Sequence, residues 1–153
     1  MNENLAITKA AISAFFAACA TFLGWRMVMV LIWVCLMGLD YLSGSLAARS
    51  RGEWTSAAAR SGIFHKAGTV LVVLVSMAAD YVMVLLSTHL PGEIPFSWPV
   101  VIFPMVTVWY ILTEIGSVVE NAISMGARVP QWLPKLLNAT VNAMDSSVSR
   151  EEE

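Results

Sequence analysis

Acidic side chains lie inside the long apolar runs of this 153-residue sequence. Asp40, Asp80 and Glu114 each stand among apolar neighbours, and a carboxylate that faces lipid at the centre of a bilayer costs about 2.5–3.5 kcal/mol. These acids must therefore face protein or water. They could bond neighbouring helices together, line a water-filled lesion after oligomerisation, or carry protons or cations through a transporter. The residue types alone leave these three explanations open.

Polar residues recur at helical spacing around each acid. At about 100° per residue, one arc of a helix holds Thr107, Tyr110, Thr113, Glu114, Ser117, Glu120, Asn121 and Ser124, and the opposite side is apolar. Asp80 shares a narrower face with Thr69, Ser76 and Ser87, and Asp40 shares one with Ser43 and Ala47. No Lys or Arg accompanies the acids within the runs, so an ion-pair relay is not predicted. Near the end of its run, Glu120 could pair with Arg60, His65 or Lys66.

The elements that must hold these acids are membrane helices. The sequence is 58% apolar and 13% charged, with a mean hydropathy of +0.69, whereas soluble domains are about 25% charged. A formal net charge of −2 argues against nucleic-acid binding, which needs a basic face. Cys19 and Cys35 both lie in apolar runs, so neither a disulfide framework nor a zinc site is predicted. The class that remains is a small all-α integral membrane protein.

The distribution of basic residues predicts how the chain crosses the membrane. A membrane helix takes roughly 17–25 mostly apolar residues, and four stretches are long enough: 5–24, 27–48, 67–90 and 98–123. Arg49, Arg51, Arg60 and Lys66 predict a cytoplasmic middle loop, and the basic residues after the last stretch predict a cytoplasmic C-terminus. The first stretch either spans, which gives four transmembrane helices, or lies at the interface, which leaves three.

The C-terminal part carries a different pattern. Residues 133–144 predict a short cytoplasmic amphipathic helix, because apolar residues recur there at helical spacing. We expect a single membrane domain over residues 1–144, followed by a polar, disordered tail at 145–153. No catalytic, cofactor-binding or metal-ligand constellation stands out. The sequence therefore predicts no enzyme, no cofactor and no metal site.

Small residues form one face of the first apolar stretch. They are Ala6, Ala10, Ser13, Ala14, Ala17, Thr21 and Gly24. Small residues let membrane helices approach closely. The simplest interpretation is ordinary packing within one helical bundle.

Two motifs resemble those of the toxin-secretion/phage-lysis holin family. The first is Gly38-Leu39-Asp40-Tyr41-Leu42-Ser43-Gly44, followed by a small-residue run and a short basic loop. The second is Thr113-Glu114-Ile115-Gly116-Ser117-Val118-Val119-Glu120-Asn121, followed by Met125-Gly126-Ala127-Arg128-Val129-Pro130. Asp80 stands where members of that family often place an acid. The resemblance covers residues 10–137 in order and spacing.

The resemblance implies a holin, a small phage-encoded protein that accumulates in the bacterial inner membrane. Holins form homo-oligomers and open lesions that release endolysin or another large protein during host cell lysis. The expected partners are thus the lipid bilayer, further copies of the chain and, functionally, an endolysin. The candidate polar determinants of the oligomer or pore are Asp40, Ser43, Gly44, Asp80, Glu114, Ser117, Glu120 and Asn121. The alternatives are a small-solute or proton-coupled transporter that uses the carboxylates, and a non-conducting membrane scaffold.

Overall fold

The structure, a computed structural model, describes residues 2–89 and 98–149. Within these residues it contains five α-helices and no strand: α1 Asn2–Leu23, α2 Arg26–Ser50, α3 Ser56–His89, α4 Ile102–Ser124 and α5 Trp132–Ser149. Four of them, α1 to α4, are long and apolar enough to cross a membrane. The all-α fold and the number of candidate spans are therefore confirmed. Most of the proline-rich segment before α4, at 90–97, lies outside the described residues.

The third helix begins at Ser56, well before the predicted start of its apolar stretch at 67. Thr55 Oγ1 accepts a hydrogen bond from the Ala58 amide at 3.1 Å and so caps the first turn. The helix has 34 residues and is about 51 Å long at 1.5 Å per residue. Residues 56–66, which the sequence assigns to the cytoplasmic loop, are therefore helical, and Lys66 lies on a face of α3 that packs inside the bundle.

The fourth helix lies at the centre of the bundle. It packs mainly against α2 and also contacts α3 and α5. The buried core takes one apolar side chain from each of three helices, namely Trp33, Val73 and Phe103. The Tyr110 ring packs on Trp33, with the ring centroids 6.0 Å apart. Within the polar arc of α4, Thr107 and Glu114 are buried in the bundle, whereas Thr113, Glu120 and Ser124 are exposed.

The first helix stands apart from this core. Gly24 and Trp25 connect it to α2, and Gly24 has a φ of +56°, a left-handed conformation that glycine adopts without steric cost. The described part of α1 contacts α2 alone, and no residue between 4 and 21 is buried. The interpretation of its small residues as packing within one bundle is therefore wrong, because the short connection and the divergence from α2 leave that face exposed.

The fifth helix folds back along α4. Gly126, with a φ of +92°, lies in the turn that follows α4. Helix α5 then packs on α4 with Leu137 buried and Val141 half-buried. Trp109 Nε1 donates a hydrogen bond to Asp145 Oδ1 at 2.9 Å, so the far end of α5 lies beside the first half of α4. The predicted amphipathic helix is present and continues through Ser149, into part of the expected tail. Residues 150–153 lie outside the described residues.

Candidate functional site

Lys66 lies between two acids that belong to neighbouring helices. Its Nζ is 2.9 Å from Asp40 Oδ2 on α2 and 2.7 Å from Glu114 Oε2 on α4. The side chains of Lys66, Asp40 and Glu114 keep only 15%, 21% and 9% of their surface exposed. The ion pairs are thus largely withdrawn from solvent, where removal of one partner leaves an uncompensated charge. One lysine therefore ties α2, α3 and α4 together.

Asn121 extends this network toward the end of α4. Its Nδ2 donates hydrogen bonds to Asp40 Oδ1 and to Ser43 Oγ, both at 3.0 Å. Gly44 lies against the same amide, because a Cβ at this position would be 3.4 Å from Asn121 Nδ2. A side chain larger than a methyl group at position 44 would therefore enter the space in which Asn121 reaches α2.

A cavity of about 340 Å³ adjoins the network. Asp40 and Lys66 contribute to its wall, and Ser117, Glu120 and Asn121 line it from α4. Of the eight predicted site residues, the structure brings these seven together around the network and the cavity: Asp40, Ser43, Gly44, Glu114, Ser117, Glu120 and Asn121. The residue spacing predicted a polar face on α2 and another on α4. The packing of α2 on α4 brings these two polar faces together.

Asp80 lies apart from this group, at the opposite end of α4. It is 2% exposed, and its Oδ2 accepts a hydrogen bond from the Phe103 amide at 2.7 Å. Its Oδ1 accepts bonds from the amides of Val101 and Ile102 and, at 2.9 Å, from Trp98 Nε1. Asp80 therefore caps the N-terminus of α4, where unpaired amides and the helix dipole favour a negative charge.

Two partners in these networks were missed from the sequence. Lys66 was assigned to the cytoplasmic loop, and we expected it, if anything, to pair with Glu120. Its spacing to the buried residues Thr69, Val73, Ser76 and Asp80 continues the inward face of α3, and this signal could have identified it. Nothing in the sequence pattern indicates that the Trp98 indole bonds to Asp80.

The chemistry available to this arrangement is electrostatic. Two carboxylates and one ammonium group carry a net charge of −1, and hydrogen bonds from Asn121 add to their stability. Across residues 2–89 and 98–149, no three His, Cys, Asp or Glu side chains are placed to hold a metal ion. The network can hold three helices together, and it becomes a polar, charged surface wherever those helices separate.

Comparison with known proteins decides the family. The sequence pattern of the bacteriophage holin family matches residues 17–142. The chain belongs to the bacteriophage holin family. The match includes the whole polar network and both motifs from which the resemblance was inferred. Holins of this family are non-enzymatic membrane proteins. This chain, with its four apolar helices, is a multi-pass membrane protein.

Three curated relatives match the chain, and each is described as an uncharacterized protein. A protein of Listeria innocua is 30% identical over 131 residues, which cover 86% of this chain and 84% of the relative. A protein of Listeria monocytogenes shows the same identity and coverage. A protein of Halalkalibacterium halodurans is 29% identical over 127 residues, or 82% of this chain and 88% of the relative. No solved structure matches the chain.

Proposed function

We propose that this protein is a phage-type holin that oligomerises in the bacterial inner (cytoplasmic) membrane and forms lesions during host cell lysis. The released cargo is an endolysin or another large protein. The observation that carries the proposal is the Lys66 network, which places three charged groups between α2, α3 and α4. The chain that holds these charges is 58% apolar and belongs to the holin family. The basic residues at 49–66 and after α4 support a cytoplasmic C-terminus.

In this mechanism the polar residues serve two states in turn. In the single copy, the bundle is held by polar contacts between α2, α3 and α4, made by Asp40, Glu114 and Asn121. At high density, neighbouring copies or water replace those contacts, and the polar faces then line the lesion. The exchange is possible because either state keeps the charges away from lipid. Ser43, Gly44 and Ser117 permit close packing, Glu120 adds charge at the cavity, and Asp80 fixes the start of α4.

Controlled expression in a bacterial host tests the proposal. Induction together with a cytoplasmic endolysin is expected to give abrupt lysis and release of a large cytoplasmic reporter enzyme. Glu114→Gln removes one charge pair of Lys66 at nearly constant volume, so we expect lysis to begin earlier at equal membrane abundance. Thr113→Val is the matched control, because Thr113 is exposed and bonds the backbone of its own helix. Induction without lysis or reporter release would refute the lesion mechanism.

A proton-coupled transporter is the second candidate, and the Lys66 pairs favour it specifically. One buried lysine between two carboxylates is a group whose charges could be exchanged with a transported cation or proton. This function predicts saturable, pH-coupled uptake of a small solute by a fixed small oligomer, without lethality. Lethal release of a reporter enzyme excludes it.

A further inference from the structure

The first helix carries a lysine that has no acidic partner among the described residues. Lys9 is exposed on α1 and forms no ion pair among the side chains that the structure describes. Insertion of a lysine into hydrocarbon is unfavourable by several kcal/mol. The small-residue face of α1 is exposed as well. A spanning α1 thus presents both a closely packing face and an unpaired positive charge.

The cavity beside the Lys66 network has the complementary properties. Small residues from α2 and α3 form much of its wall, namely Gly44, Ala48, Ala58, Ala59 and Gly62. A Cβ built on Gly62 would meet no atom within 4 Å, so the wall of the cavity is open at this position. Glu120 lines the cavity, is exposed and makes no ion pair among the described residues. The cavity therefore offers a free negative charge within a groove of small side chains.

The two charges lie at similar depths if α1 crosses the membrane from the side on which α2 ends. Lys9 is about 10 Å from the start of α1 at Asn2, at 1.5 Å per residue. Glu120 is about 6 Å from the end of α4 at Ser124, and Gly62 is about 9 Å from the start of α3. If α1 and α3 start and α4 ends on the same side of the bilayer, Lys9 and Glu120 thus lie at nearly the same depth.

We infer that α1 of one copy docks into the α2–α3 cavity of a second copy, with Lys9 paired to Glu120 of that copy. This inference rests on the proposed homo-oligomer and names its interface. The chain's own α1 does not fill the cavity, because no described residue of α1 lines it and the described part of α1 contacts only α2. The contact joins different surfaces of the two copies. Such head-to-tail contacts build rings or open chains, which suits a lesion that grows by addition of subunits.

Site-directed crosslinking tests the contact directly. In a background with both native cysteines replaced by Ser, one tagged population carries Ala10→Cys and a second carries Gly62→Cys. Oxidation of membranes that contain both is expected to give a heterodimer that bears both tags. Ile12→Cys replaces Ala10→Cys in the control, because position 12 is about 200° further round the helix. Oligomers that form without a 10–62 crosslink, or that crosslink equally at 12, would overturn the inference.

Charge reversal supplies the second measurement. Lys9→Glu and Glu120→Lys are each expected to lower the 10–62 crosslink yield about tenfold at a fixed membrane density, since a close pair of opposite charges becomes a repulsive one. The double variant is expected to restore the yield, and Lys135→Glu combined with Glu120→Lys is not. A lack of restoration would mean that Lys9 only extends to the headgroups, and the inference would fail.

The outcomes also separate this interface from the lesion function. Crosslinking and charge rescue without dye release or lysis would support the interface and refute the lesion mechanism. Lysis with oligomers that lack the 10–62 contact would support the lesion mechanism and refute the interface. A chain that remains monomeric at every density would refute both.

Discussion

Lys66→Met should be among the most destabilising single substitutions in the bundle. The change replaces the lysine by an unbranched neutral side chain that is one atom shorter, and it leaves Asp40 and Glu114 facing the same space without a cation. Both carboxylates contact the same nitrogen, at 2.9 and 2.7 Å, so they lie close together. At an effective dielectric constant of 20, two like charges about 5 Å apart repel by roughly 3 kcal/mol.

The loss of an ion-pair partner leads to the same magnitude. Removal of one member of a buried pair costs about 3–5 kcal/mol. Because the Asp40 side chain keeps 21% of its surface exposed, we expect Lys66→Met to lower the free energy of unfolding by about 3 kcal/mol, at the lower end of that range. The measurement is the free energy of unfolding of purified protein in detergent micelles, by denaturant titration. Lys135→Met is the matched control, because Lys135 is exposed on α5, and we expect it to change the value by less than about 0.5 kcal/mol.

A compensated variant makes the reasoning refutable. Asp40→Asn and Glu114→Gln, added to Lys66→Met, remove the uncompensated charges and should recover most of the lost free energy, because a neutral replacement of a buried ion pair is often close to neutral. If Lys66→Met costs no more than Lys135→Met, the ion pairs do not stabilise the bundle. If the triple variant is no more stable than the single one, the loss does not arise from unpaired charge.

Three further predictions concern the contacts around this network. Asp80→Ala removes the acceptor of three amide bonds and one indole bond, so we expect a loss of about 2–4 kcal/mol and faster hydrogen exchange at the Ile102 and Phe103 amides; unchanged exchange would contradict the capping role. Gly44→Leu should displace Asn121 and shift the onset of lysis, whereas Gly44→Ala, whose Cβ just fits, should leave it within the range of the unaltered protein; equal effects of the two would exclude steric displacement. Trp109→Phe removes the bond to Asp145 and should raise the rate at which protease cleaves α5, and an unaltered cleavage rate would show that this bond does not hold α5 on α4.

The sequence was sufficient for the elements but not for their pairing. Hydropathy located the four apolar helices because about 20 apolar residues in succession have few other uses. Helical spacing placed Glu114 and Asn121 on one face of α4, because residues seven apart lie nearly two full turns from each other. The pairing of Asp40 with Asn121 depends on how α2 and α4 cross, and this is a property of tertiary packing that no single helix records.

Lys66 shows where reasoning from local composition fails. A lysine beside a histidine, next to a basic segment, is typical of a solvated membrane border, and the rule that positive loops stay in the cytoplasm supports this interpretation. Because α3 begins at Ser56 and is continuous through Lys66, this residue stays on the inward face of the helix and contacts two acids. The placement of α1 failed for another reason, because a small-residue face indicates that a helix packs closely but not against which partner.

The central claim is that this chain opens holes large enough for a folded protein, and size-graded release from liposomes tests it most directly. Purified protein is reconstituted at increasing density into vesicles loaded with fluorescent dextrans from small-dye size to that of an endolysin. We expect no release at low density and, above a threshold, release of every size together. Retention of the large dextrans at the highest density, while small dyes escape or stay inside, would contradict the claim.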